Sequence, residues 1–292
     1  MSIFQVILLA IIQGAAELLP VSSSAHVIVA ERIMGLDPSA PELTFFLVML
    51  HTGTMFAVLL YFWKRWTVLL KNGTAGIFIK AIVVATAVTG FVGLGLKFFI
   101  EKIVLIKILG HQKGEIEELF SSLPLVAASL FIVGIYILLA AKRSEKNTAL
   151  IKTLPTHQDS LLIGLTQAIC LPFRGLSRSG STISTSLIRN ISHPAAEDFS
   201  FALAVVLTPP VIALELHRLL KASDTHQAMT SVALQSLLQP GLLGMVFSFM
   251  AGLLALKLLS RWLEEGKWSF FGFYCLVASF IVLLVHVTYP IA

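Results

Sequence analysis

Six stretches of the chain run free of Asp, Glu, Lys and Arg: residues 43–63, 81–96, 119–141, 199–214, 225–256 and 268–292. A membrane-crossing helix needs about 20 mostly apolar residues, so each stretch predicts one span. Lys80 and Lys97 bracket the shortest, where their stems can lie along the apolar layer while the ammonium groups reach water. Pro209-Pro210 predict a break or kink in the fourth, and Pro240-Gly241 put the start of the fifth span near residue 240. Of 292 residues, 57% are hydrophobic and 13% charged, with mean hydropathy +0.88. A soluble domain carries about 25% charged residues. The composition excludes a disordered chain, a collagen-like fibre and a soluble enzyme, and leaves a protein whose outer surface faces lipid.

The net charge of +5 does not point to nucleic acid, because the basic residues stand at the ends of apolar runs and form no dense tract. Membrane lipids are the expected surroundings. Cys170 and Cys275 lie far apart in apolar runs and match neither a metal spacing nor a disulfide framework. The N-terminal stretch has no positive leader and is expected to belong to the mature fold.

Two further apolar stretches fail as ordinary spans. Residues 1–16 run into Glu17, Pro20 and Ser22-Ser23-Ser24-Ala25-His26; residues 160–173 run into Arg174, Gly175, Ser177, Arg178, Ser179, Ser181 and Thr182. Each is short and breaks at a proline into small polar residues, and an apolar segment returns at 27–34 and at 183–191. That order predicts two re-entrant helical hairpins, because irregular backbone at membrane depth survives only inside protein or beside a water-filled cavity. Leu19-Pro20 and Leu171-Pro172 match at an offset of 152, and a Phe-rich segment follows each. The expected fold is therefore an all-α polytopic membrane protein, residues 1–292 forming a single membrane domain. It has six spans and two hairpins, arranged as an inverted repeat of 1–145 and 155–292. Such repeats place the working site near the midplane. Lys64, Arg65, Lys71, Lys142, Arg143, Lys146 and Lys152 assign the loops after residues 63 and 141 to the cytoplasm, and Glu101, Glu115, Glu117 and Glu118 assign residues 101–121 to the outside. Both chain ends then lie outside.

Ionisable residues inside the membrane are costly and persist when paired or functional. Glu17, His26 and Arg178 stand inside the hairpins; the plainest reading is a buried Glu17–Arg178 ion pair. The run Gly175-Leu176-Ser177-Arg178-Ser179-Gly180-Ser181-Thr182 adds hydroxyls and a helix start to a fixed cation, a combination suited to phosphate. Arg174 offers a second cation. In the first hairpin Glu17 is a hard oxygen ligand for Mg²⁺ or Ca²⁺, and Gln13 lies one turn away on the same face. Ser22 and Ser23 are candidate nucleophiles, and His26 a candidate nucleophile, base or acid. His51 either faces the same cavity or makes a structural hydrogen bond.

Gln13-Gly-Ala-Ala-Glu17-Leu-Leu-Pro20-Val-Ser22-Ser23-Ser-Ala-His26 resembles the glutamate-rich motif of the BacA-type undecaprenyl-diphosphate phosphatases. Gly175-Leu-Ser177-Arg178-Ser179-Gly-Ser-Thr182 resembles their second motif, and Glu197-Asp-Phe199-Ser200-Phe201 a segment after it. The resemblance covers essentially the whole chain. It implies an integral enzyme of the bacterial cytoplasmic (inner) membrane that converts a C55 prenyl diphosphate lipid to its monophosphate for cell-wall synthesis, depends on a divalent cation, and is linked to bacitracin resistance. It implies Glu17 as the catalytic or metal-binding carboxylate, with Gln13 beside it, and His26 as the catalytic histidine. Ser22 and Ser23 would lie in the site, and Ser177, Arg178, Ser179 and Thr182 at the phosphates. A second copy of the chain is a candidate partner. Two departures stand out: Gln13 where the family often has Glu, and Arg174 where it usually has Pro. A transporter or flippase of the lipid carrier shares the inverted-repeat architecture and is the rival reading; a polytopic scaffold with a buried ion pair is the third.

Overall fold

Apolar side chains cover the outside of this molecule, and a set of polar ones is buried within its apolar core. The computed structural model describes residues 1–36, 41–71, 73–108, 119, 122–146, 151–225 and 231–288. Among its largest exposed side chains are Phe91, Leu94, Leu254 and Val287, each more than 70% exposed, while Gln13, Ser179, Thr182, Ser184, Ser186 and Ser200 are buried. Water would penalise that outer surface; hydrocarbon does not.

Among the described residues the chain forms ten α-helices and no β-strand. They are α1 (Ile3–Leu18), α2 (Ser23–Ile33), α3 (Pro41–Lys71), α4 (Ala75–Phe99), α5 (Leu123–Lys146), α6 (His157–Cys170), α7 (Arg178–Ile188), α8 (His193–Thr225), α9 (Ser231–Glu264) and α10 (Trp268–Thr288). Helix α4 continues as a π-helix over Ile100–Ile108, where Lys97 and Glu101 pair at 3.6 Å. Among the described residues five segments are long and apolar enough to cross a membrane: Leu43–Lys71, Ala75–Lys107, Leu123–Glu145, Leu238–Glu264 and Trp268–Thr288. The expected span 199–214 lies inside α8. That helix runs through Pro209 and Pro210, so the predicted break does not occur. Thr208 Oγ1 donates to Ala204 O at 2.7 Å, giving that carbonyl a side-chain partner just ahead of the prolines. Glu115, Glu117 and Glu118, used above for topology, lie outside the described residues.

With 16, 11, 14 and 11 residues, α1, α2, α6 and α7 are too short to span. At about 1.5 Å per residue the longest reaches roughly 24 Å, against ~30 Å of hydrocarbon. The second helix of each pair begins earlier than the return of apolar residues suggests, at Ser23 and Arg178 rather than near 27 and 183. The reason is local. Ser22 (φ 68°) and Ser177 (φ 42°) take left-handed backbone and turn the chain sharply, so the polar residues that follow enter the first helical turn. Gly175 (φ 118°) makes the longer second turn possible, and its backbone lies against Val126 O and Ser129 of α5.

Each short pair is wedged against long helices. Helix α1 packs on α9, where Gly14 touches Ser248, and α6 packs on α4, where Gly164 touches Ala85. Helix α5 packs on α10 and α7, and α3 on α9 and α8. Phe62 stacks on Phe201 with ring centroids 5.3 Å apart, and Arg65 binds both Glu197 (2.9 Å) and Asp198 (3.0 Å), which fixes α3 to α8.

The start of α6 carries a separate lock. Asp159, fully buried, accepts hydrogen bonds from Lys152 Nζ (2.7 Å), Thr156 Oγ1 (2.7 Å) and Arg189 Nε (2.7 Å), and closes a capping box with Thr156. Burial opposes its ionisation, but these donors outweigh burial and bring the carboxyl down to about 2. A carboxylate lowered in the folded state contributes stability above its unfolded value of ~3.9, and that contribution is lost as pH falls toward 2. Asp159→Ala is expected to cost about 3 kcal/mol, the low end for a broken buried pair because Lys152 and Arg189 are each about a third exposed. The thermal unfolding midpoint in detergent reads this loss.

Candidate active site

The tips of the two hairpins meet. Glu17, in the last turn of α1, receives Arg178 Nη2 on Oε1 at 2.9 Å and Ser23 Oγ on Oε2 at 2.6 Å. Ser23 is the first residue of α2 and Arg178 the first of α7, so two helix N-termini converge on one carboxylate. Both partners of the ion pair are mostly buried, Glu17 at 18% and Arg178 at 20% side-chain exposure. The second guanidinium nitrogen, Arg178 Nη1, is buried with no hydrogen-bond partner. An orphaned cationic donor at membrane depth is expensive.

Gln13, one turn before Glu17 and buried, donates from Nε2 to Glu17 Oε2 at 3.2 Å and to His51 Nδ1 of α3 at 3.1 Å. His51 Nδ1 stands 3.8 Å from Glu17 Oε2, so His51 makes a hydrogen bond, one of the two readings open for it, and makes it beside Glu17. Glu17, Gln13, Ser23 and His51 make a small donor set with one carboxylate. Among the described residues no three His, Cys, Asp or Glu side chains gather into a closed metal cage. Of that donor set, Glu17 and Gln13 carry oxygen atoms of the kind a hard cation takes.

The remaining residues of the second motif mostly shape the turn. Ser177 Oγ accepts from Gly180 N (3.2 Å) and caps α7. Ser179 Oγ donates to Leu19 O (3.2 Å), tying one hairpin tip to the other. Thr182 Oγ1 donates to Arg178 O (2.8 Å) and bonds Ser200 Oγ of α8 (2.6 Å). Its hydroxyl is committed to the fold, whereas the family resemblance puts it at the phosphates. Arg174 lies in the turn within electrostatic reach of Glu31 on α2. Ser22, whose Oγ pairs with Ser24 Oγ at 3.3 Å, forms no side-chain cap, which leaves the first N–H groups of α2 open to an anion.

His26 turns elsewhere. Its Nδ1 donates to Ser22 O (2.7 Å), and its Nε2 bonds Tyr274 OH of α10 (2.7 Å). The hydrogen bonds that join Glu17, Ser23 and Arg178 do not include it. Tyr274 was invisible to sequence reasoning, although a tyrosine within a charge-free span is a signal in itself, since its hydroxyl needs a partner there.

Residues 6–281 match the family model described as bacitracin resistance protein BacA. The chain belongs to the BacA family. Its relatives in that family include "Undecaprenyl-diphosphatase 2" of Acinetobacter baylyi, 53% identical over 97% of this chain and 98% of that one. "Undecaprenyl-diphosphatase 1" of Burkholderia pseudomallei is 31% identical over 97% of this chain and 96% of the other. "Undecaprenyl-diphosphatase" of Halothermothrix orenii is 30% identical over 98% of both. BacA family membership therefore extends over both hairpin tips, including Glu17, Ser23 and Arg178.

Proposed function

We propose that this protein is an undecaprenyl-diphosphate phosphatase of the bacterial inner membrane, and that its hairpin tips bind and cleave the diphosphate. The observation that carries the reading is the unpartnered Arg178 Nη1 beside Glu17 and Ser23, at two converging helix N-termini. A guanidinium with a free edge suits phosphate oxygens, and helix N-termini add N–H donors.

Ser23 Oγ already donates to Glu17 Oε2 at 2.6 Å, which is a nucleophile held on its base. Ser23 Oγ attacks the terminal phosphorus as its proton passes to Glu17. The phosphoanhydride bond breaks, and the lipid monophosphate leaves with the bridging oxygen. Arg178 stabilises the equatorial oxygens while charge shifts across them. Water then attacks the phosphoseryl group and gives a proton to His26 Nε2, one turn along α2, displacing the Tyr274 hydroxyl from that lone pair, and His26 passes the proton on to bulk water. The Ser23–phosphorus bond breaks as Glu17 returns its proton to Oγ, and inorganic phosphate is released. Glu17 and Gln13 would hold a divalent cation, whose charge would offset that of the diphosphate.

The finer architecture belongs to the same proposal: six spans, two re-entrant hairpins, and halves 1–145 and 155–292 related as inverted copies. Supporting it are the order short, short, long, long, long in each half, the left-handed Ser22 and Ser177 at equivalent turns, and the matching seams α1–α9 and α6–α4. Purified protein with undecaprenyl diphosphate and Mg²⁺ is expected to release phosphate. Ser23→Ala is expected to lower the rate at least ~100-fold with the fold intact. Translocation of the lipid in liposomes without phosphate release would favour the transporter instead.

A further inference from the structure

A catalytic histidine needs one tautomer and one orientation, and the two nitrogens of His26 are held by different parts of the fold. Nδ1 faces a carbonyl, Ser22 O at 2.7 Å, so Nδ1 carries the proton. The lone pair of the neutral ring is then on Nε2, and Tyr274 OH donates to it at 2.7 Å. The two rings also stack, with centroids 5.6 Å apart and planes 15° from parallel. Tyr274 belongs to α10, which packs broadly on α5 and only lightly on α2. The next residue, Cys275, is buried and reaches Pro20 O of the first hairpin tip at 3.5 Å. Adjacent residues of α10 thus hold both the bend of the first hairpin and its histidine. Tyr274 is at the same time 48% exposed among the outward-facing Phe270, Phe273 and Val277. Its ring faces outward while its hydroxyl turns in to His26.

We propose that Tyr274 is a positioning residue for the reaction: Ser22 O sets the Nδ1–H tautomer of His26, and the Tyr274 hydroxyl on Nε2 fixes the direction in which that nitrogen points. The proposal rests on the phosphatase reading for the role of His26. A ring tied at one nitrogen only can swing about that hydrogen bond, whereas a ring tied at both cannot.

Tyr274→Phe tests it in the purified full chain with undecaprenyl diphosphate and Mg²⁺, because it keeps the stacked ring and removes only the O–H. The expected result is a fall in kcat of about tenfold with KM unchanged. In protein labelled with ¹⁵N-histidine, the signals of a protonated Nδ1 and a bare Nε2 are assigned to residue 26 by their absence in His26→Gln; the Nε2 signal is expected to shift in Tyr274→Phe as its hydroxyl donor is lost, while Nδ1 stays protonated on Ser22 O. Tyr274→Ala removes the stacked ring as well, and kcat is expected to fall further. Unchanged kcat in Tyr274→Phe, or unchanged His26 nitrogen signals, would reduce Tyr274 to packing and overturn the proposal. Absence of phosphate release by the wild type would defeat the phosphatase reading instead, and the nitrogen signals would still decide what Tyr274 does to His26.

Discussion

Arg178→Ala is expected to lower phosphate release at least about a thousandfold, the scale on which a cation acting on a transferring phosphoryl group contributes. The substitution removes the guanidinium edge that has no protein partner and the nitrogen that neutralises Glu17. It therefore has a second consequence. Glu17, with 18% side-chain exposure, is left as a buried charge with only Ser23 and Gln13 as donors, and loss of one member of such a pair costs about 3–5 kcal/mol. Adding Glu17→Gln separates the two effects. The double variant is expected to recover thermal stability in detergent and to remain inactive. Arg178→Lys keeps the charge but not the planar fork, and is expected to sit between, ~10–100-fold below wild type. Near-wild-type turnover by Arg178→Ala in a folded protein would remove the hairpin tips from the chemistry.

Five of the spans were legible because lipid-facing helices exclude charge, and the two pairs of short helices because proline stopped two apolar runs short. What the letters concealed was where helix resumes. Ser, Thr and Gly read as loop in a soluble protein, since their side chains compete for backbone partners. In α7 those side chains instead fold back on the helix: Thr182 Oγ1 onto Arg178 O, Thr185 Oγ1 onto Ser181 O and Ser186 Oγ onto Thr182 O. With little water to compete, the helix forms from its first polar residue. Pro209-Pro210 do not break the helix, as prolines are tolerated inside membrane helices. In the site, Glu17, Ser23 and Arg178 were legible because charge at membrane depth demands a partner, and the partners lay in the two broken segments. His26 was placed beside them in expectation. The structure puts its second nitrogen on Tyr274, 248 residues away, and no local pattern announces a contact of that separation.

The seam between α1 and α9 is the second place where one small change is expected to matter most. A Cβ added at Gly14 would lie 2.5 Å from Ser248 O, 2.8 Å from Ser248 Cα and 2.9 Å from Ala251 Cβ. Two of those three are backbone atoms and cannot rotate away. Ser248 is itself fixed, because its Oγ donates to Leu50 O of α3 at 2.9 Å. Helix α1 must therefore move, and it carries Gln13 immediately before Gly14 and Glu17 one turn after. A displacement of about 1 Å at a reacting group can cost ~100-fold in rate. Gly14→Ala is expected to reduce turnover ~10–100-fold with about 1–3 kcal/mol of destabilisation, and Gly14→Val to yield little folded protein. The control is Gly76→Ala in α4, where an added Cβ meets nothing within 4 Å and both turnover and unfolding midpoint are expected to hold. If Gly14→Ala kept full activity, α1 could shift without disturbing Glu17, and the site would owe its geometry to the ion pair with Arg178 rather than to the helix seam.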